Sequence, residues 1–164
     1  MVISRKKTLS CARATKSKGF TLVELMVGLV LMSILTGIGV PMFRSFILDQ
    51  RLRATSTDLR IALVTARSES VKRNRTVELQ PSDADWGTGW TIPNPTAGAP
   101  DILNQKQMGD IAISGPAEVE FTPMGRALAA ADFQIAVGPE TSGATACLQL
   151  QLDGRATSMK GACP

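Results

Sequence analysis

The longest apolar stretch of the chain runs from Phe20 to Val40, FTLVELMVGLVLMSILTGIGV, and Glu24 is its one charged side chain. A helix of about 20 residues crosses the ~30 Å hydrocarbon core of a bilayer, so this segment is long enough to span one. It is longer than the roughly 7–15-residue core of a secretory signal peptide, and no small-residue cleavage exit precedes Pro41. The segment is therefore expected to be retained. Gly37, Gly39 and Pro41 then come close together. Proline lacks the N–H and clashes with the preceding turn, which predicts a kink or local melt there. Beyond it, Leu48, Leu52, Thr55, Leu59, Ala62, Leu63, Ala66 and Ser70 fall on one helical stripe, with arginines on the other faces. The pattern predicts one long helix from about Phe20 to about Lys72, roughly 80 Å long.

After Asn74 the period changes to that of strands. "TVELQP" (76–81) alternates and stops at a proline, and "TGWTIP" (88–93) is a second candidate. "NPTAGAPD" (94–101) reads as a loop, and further short strands are expected over 110–114, 118–122, 132–137, 146–152 and 156–160. Asp153-Gly154 suits a type I′ hairpin turn between the last two. Trp86 and Trp90 read as core aromatics and the glycines beside them as turn residues. The fold class is α+β: a long N-terminal helix whose second half carries a small antiparallel β-sheet head.

Charge divides the chain further. Residues 1–19 hold six basic side chains and no acid, which should stay cytoplasmic and place everything after Val40 outside. Residues 41–75 hold eight basic side chains against three acids. From Thr76 onward, Lys106, Arg126, Arg155 and Lys160 oppose ten acids. An acidic head is a poor general binder of nucleic acid, because non-specific affinity comes mainly from phosphate neutralisation. Of three cysteines, Cys11 lies in the basic leader, while Cys147 and Cys163 lie near the C-terminus. In an exported chain such a pair reads as a disulfide; in the cytosol it reads as two thiols. The sequence holds no His and no Tyr. Glu118 and Glu120 share a strand face, which alternation alone explains. With no phosphate-binding loop, nucleophile elbow, dinucleotide fingerprint or metal-ligand spacing, neither an enzyme nor a cofactor is expected.

The junction "KSKGFTLVELMVGL" (16–29) resembles the type IV prepilin signature. It combines a basic leader, a glycine–aromatic step, an offset glutamate and a long apolar run. The resemblance implies that a prepilin peptidase cuts between Gly19 and Phe20 and N-methylates Phe20. The new amine is cationic, and burying it unpaired in a helical bundle is very costly. Glu24, one turn along, is then expected to pair with the amine of a neighbouring subunit, or transiently with its own, and so fix axial register. "DWGTGW" (85–90), "VEFTPMGRA" (119–127) and "LQLQLDGRA" (148–156) resemble elements of the GspH/FimT group of minor pilins and pseudopilins.

The resemblance implies four segments: a cleaved leader (1–19), an apolar membrane and filament-core half-helix (20–46), an amphipathic half-helix on the head (47–75) and a β-rich periplasmic head (76–164). The expected partners are other pilin subunits, the prepilin peptidase and the inner membrane, with the protein passing later to the pilus or its tip. FimT-type members carry a C-terminal cysteine pair, here Cys147 and Cys163, and a G-R-x-R element linked to DNA uptake. This chain reads Gly154-Arg155-Ala156-Thr157, so the second arginine is absent. Arg155, Lys160 and Arg126 are the candidate contacts to double-stranded DNA, with the basic run "KRNR" (72–75) equally suited to a helix C-terminus. The GspH-type pseudopilin of a type II secretion system is the alternative on the same fold.

Overall fold

The structure, a computed structural model, describes residues 19–107, 111–137 and 144–164. Residues 1–18 of the leader, 108–110 (with Asp110, the expected start of a strand) and 138–143 lie outside them. One helix, α1 (Leu22–Arg73), precedes eight strands: β1 (Val77–Ser82), β2 (Asp85–Ile92), β3 (Leu103–Lys106), β4 (Ile111–Ser114), β5 (Val119–Phe121), β6 (Ala131–Val137), β7 (Ala144–Leu150) and β8 (Ala156–Lys160). They form two antiparallel sheets, ordered β3-β2-β1-β5 and β4-β6-β7-β8. The chain divides into two units at Val40 and Pro41.

In the first unit every described side chain is exposed, including Leu22, Val23, Leu25, Met26 and Val27. The helix that begins here is long and apolar enough to cross a membrane, with a mean hydropathy of 2.1 over 18 residues and none of that window buried. Helix α1 continues through Pro41 without a break, so the expected local melt does not occur. A proline costs one hydrogen bond, and the intact turns on either side keep the helix going.

In the second unit, burial along α1 begins at Ile47. Leu52, Thr55, Leu59, Ala62, Leu63, Ala66 and Ser70 of the expected stripe are buried, and Leu48 is half-buried. Ser56 joins them, because its Oγ lies 2.8 Å from Ser158 Oγ on β8. The stripe packs into one cluster with side chains from both sheets, among them Val77, Leu79, Trp90, Ile92, Phe121, Phe133, Ile135, Leu148 and Leu150. Each large apolar side chain so buried stabilises by about 1.5–3 kcal/mol. Trp86 meets Phe133 edge-on at 5.0 Å and donates its indole N–H to Pro116 O at 2.7 Å.

The helix ends in a Schellman motif. Asn74 takes φ 50°, its N–H reaches Val71 O, and the Arg75 N–H reaches Ser70 O. Two of the three basic side chains in the run 72–75 are engaged at this terminus. Lys72 and Arg73 both bond Glu69, at 2.9 and 2.7 Å, and Arg73 also bonds Asn94 Oδ1. Those bonds, from Lys72 first and Arg73 second, hold the Glu69 carboxyl below its ordinary pKa.

Four expectations about strands need correction. Strand β1 runs through Pro81, because β5 pairs only with Val77, Glu78 and Leu79, leaving no ladder bond for the missing N–H to break. A two-residue turn of Asp83 and Ala84, both at positive φ, then leads directly into β2. Gly87 and Gly89 are strand glycines, not turn residues. A Cβ at Gly87 would sit 2.6 Å from Ile111 O, and one at Gly89 would sit 2.1 Å from Gln105 O on β3. Strand β3, Leu-Asn-Gln-Lys, was absent from the expected set because its polar sequence carries no apolar period. Finally, Gly154 alone takes positive φ at the last hairpin, which makes a three-residue type I turn with a glycine bulge instead of type I′.

Candidate functional site

The first turn of α1 holds the processing and assembly candidates. Gly19 and Phe20 precede the helix, and both are exposed. Thr21 is the N-cap: its Oγ1 accepts the Glu24 N–H at 3.2 Å, and its carbonyl accepts the Leu25 N–H. Thr21-Leu22-Val23-Glu24 is thus the S/T-x-x-E pattern of a capping box, a signal readable from the sequence. Glu24 sits at the third helical position, where a carboxylate also complements the helix dipole. Its side chain is exposed and makes no ion pair among the described residues.

The two Gly-Arg elements of the head fold into the same turn. In Thr122–Arg126 the Gly125 N–H bonds Thr122 O, and the Thr122 N–H bonds Arg126 O. In Gln151–Arg155 the Gly154 N–H bonds Gln151 O, and the Gln151 N–H bonds Arg155 O. Gly125 and Gly154 take φ 72° and 78°, which only glycine adopts cheaply. The turns abut, for a Cβ at Gly154 would lie 2.5 Å from Gly125 O and 3.0 Å from Arg67 Nε. Arg67 of α1 packs against both glycines and donates from Nη1 to Gly154 O at 3.2 Å. No motif marks Arg67 in the sequence; it is one of several helix arginines, and only the tertiary contact distinguishes it.

This pinning brings the turns carrying Arg126 and Arg155 together, with both arginines exposed. Asp132 and Asp153 line the same recess as Arg126, so the local field is mixed. Met124, Leu128 and Leu152 stand exposed beside them. Lys160 does not join the group. It closes β8, roughly 16 Å along the strand from Arg155, and its Nζ lies 3.9 Å from Asp49 Oδ2.

Cys147 and Cys163 form a disulfide with Cα atoms 5.0 Å apart. The tail after β8 is also tied by the Gly161 N–H to Thr145 O and the Cys163 N–H to Gln134 Oε1. Glu118 precedes β5, and Glu120 within it lies opposite Glu78 across the β1–β5 ladder.

The family model described as type II transport protein GspH matches residues 55–154, more than half of the chain. The prokaryotic N-terminal methylation motif matches residues 14–40. No curated protein matches the chain significantly. Two crystal structures of the type IV minor pilin FimU of Pseudomonas aeruginosa (strain PAO1) are similar in fold. One has a TM-score of 0.56 at 23% identity, over 68% of this chain and 90% of that one. The other has 0.54 at 23% identity, over 66% and 92%. With this family model matching 100 of the 164 residues, the chain belongs to the type II transport protein GspH family; it carries the N-terminal methylation motif and shares its fold with a type IV pilin.

Proposed function

We propose that this protein is a minor subunit of a type IV pilus, whose task is to prime and join filament assembly. A peptidase removes residues 1–19, and Phe20 becomes the N-methylated first residue. The apolar half-helix 20–46 anchors the subunit in the inner membrane and later packs in the filament core. The amphipathic half 47–75 carries the head 76–164 in the periplasm and then outside, at or near the tip. One observation supports this above others: the large apolar side chains from Phe20, just before α1, to Phe46 within it are exposed. Lipid before assembly and other subunits after it are the surroundings that such a surface requires.

The intact mass of the protein purified from its host membrane tests the processing step. The expected polypeptide starts at Phe20 with one added methyl group and is found in sheared pili. A chain that retains residues 1–19, or is released soluble by a cut after the apolar run, overturns the reading. Recovery with a secretion apparatus instead of pili, with loss of protein export on deletion, supports the type II pseudopilin suggested by the family model's description.

A second reading is DNA capture at the tip, favoured by the abutting Gly-Arg turns. Thr157 stands where a second arginine of G-R-x-R would be, but Arg126 reaches the same surface from the other turn. Asp132 and Asp153 offset part of that charge, and Lys160 is too distant to add to it. Fluorescence anisotropy of the mature chain in detergent with duplex DNA across a salt series measures this. The expected result is weak, salt-sensitive binding in which Arg155→Ala and Arg126→Ala each lower the salt slope by roughly one. No binding at low salt, or slopes unchanged by both substitutions, removes the DNA role and leaves assembly.

A further inference from the structure

Strand β8 ends its sheet, and among the described residues nothing pairs with its outer edge. The Gln151–Arg155 and Gly161–Thr145 backbone bonds bracket the β7–β8 ladder. By antiparallel alternation, Thr157 and Met159 spend their N–H and C=O groups on β7, whereas Ala156, Ser158 and Lys160 turn theirs outward. Such an edge is a ready template for another strand.

Beside it lies a groove of ≈ 340 Å³ between β8 and α1, lined by Arg53, Thr57 and Arg60 of the helix and by Ser158 and Lys160 of the strand. Ser158 faces the helix, where its hydroxyl meets Ser56, and Lys160 on the same strand face approaches Asp49. A strand added to β8 therefore directs every second side chain along the helix flank that bears Arg53 and Arg60. Both arginines are exposed, and neither makes an ion pair among the described residues. They are two helical turns apart, about 10.5 Å along the axis. Long guanidinium side chains span from there to carboxylates two or four residues apart on one strand face.

From this juxtaposition we infer that the β8 edge and its groove form a docking site for an extended segment of a partner protein bearing acidic side chains at alternate positions. Backbone ladder bonds would supply affinity, and Arg53 and Arg60 would supply register and selectivity. The site lies apart from the first helical turn and from the Gly-Arg turns. It stands whether the filament is a pilus or a secretion pseudopilus.

The test uses the mature full chain in detergent micelles and three synthetic ten-residue peptides. The first alternates Glu with Thr, the second replaces each Glu by Lys, and the third is the Glu peptide N-methylated at the amides of one edge. Amide exchange followed by NMR should show the Glu peptide protecting Ala156, Ser158 and Lys160. Affinity should fall about tenfold or more for the Lys peptide, and the N-methylated peptide should not bind. The charge-reversed variant R53E/R60E should prefer the Lys peptide, which a merely misfolded variant could not do. Equal binding of the N-methylated peptide, protection elsewhere, or no binding of the Glu peptide at about 1 mM overturns the proposal.

Discussion

Glu24→Gln is expected to remove the subunit from assembled filaments while leaving its amount in the membrane unchanged. The substitution keeps size and hydrogen-bonding capacity and removes only the charge. If the amine of processed Phe20 is buried in the filament core, its partner is a carboxylate on a neighbouring helix. Breaking a buried ion pair by removing one member costs about 3–5 kcal/mol, or two to four orders of magnitude in incorporation. Glu24 has a competing role at the third helical position, since its N–H is capped by Thr21 Oγ1. A capping defect costs only about 1 kcal/mol, and glutamine fills that position as well as glutamate does. Thr21→Ala is thus the control: it should lower helix stability slightly and still enter filaments. Immunoblots of the sheared filament and membrane fractions separate the cases. Incorporation of Glu24→Gln at the parental level would leave helix capping as the whole account of this carboxylate.

How much of this was legible in the sequence depends on which interaction decides each feature. The stripe from Leu52 to Ser70 follows from 3.6-residue periodicity, because one face of one helix must be buried. The alternating strands β1, β6 and β7 follow for the same kind of reason. Strand β3 escaped because it is held by backbone pairing to β2 and by loop geometry, neither of which writes an apolar period into Leu-Asn-Gln-Lys. Gly87 and Gly89 looked like turn residues because glycine marks turns and close backbone approach alike. Only the proximity of Ile111 O and Gln105 O decides between them. The candidate surface divides likewise. Arg126 and Arg155 stand out by their repeated Gly-Arg context, but their adjacency is produced by Arg67, a contact across 87 residues of chain. Lys160 was grouped with Arg155 by closeness in sequence, and an extended strand separates what sequence places five residues apart.

Cys163→Ser is expected to destabilise the head by about 3 kcal/mol, the chain-entropy cost of opening a loop of this size. The bridge joins residues 16 apart. Cys163 is the better position to change, since it is half-exposed, whereas Cys147 is fully buried on β7 and a serine there would add the cost of an unpaired core hydroxyl. For a head of this size, that loss lowers the thermal midpoint by about 15 °C. The effect should also be local. The tail bonds of Gly161 to Thr145 and Cys163 to Gln134 hold residues that nothing else fastens among the described contacts, so their amides should lose exchange protection before the β6–β7 ladder does. A reducing agent should reproduce the shift in the parent protein and add nothing to Cys163→Ser. If the variant and the reduced parent melt together within a degree or two of the oxidised protein, the bridge is incidental. The Ser56–Ser158 contact and the buried face of β7 would then be sufficient to hold β8 against α1.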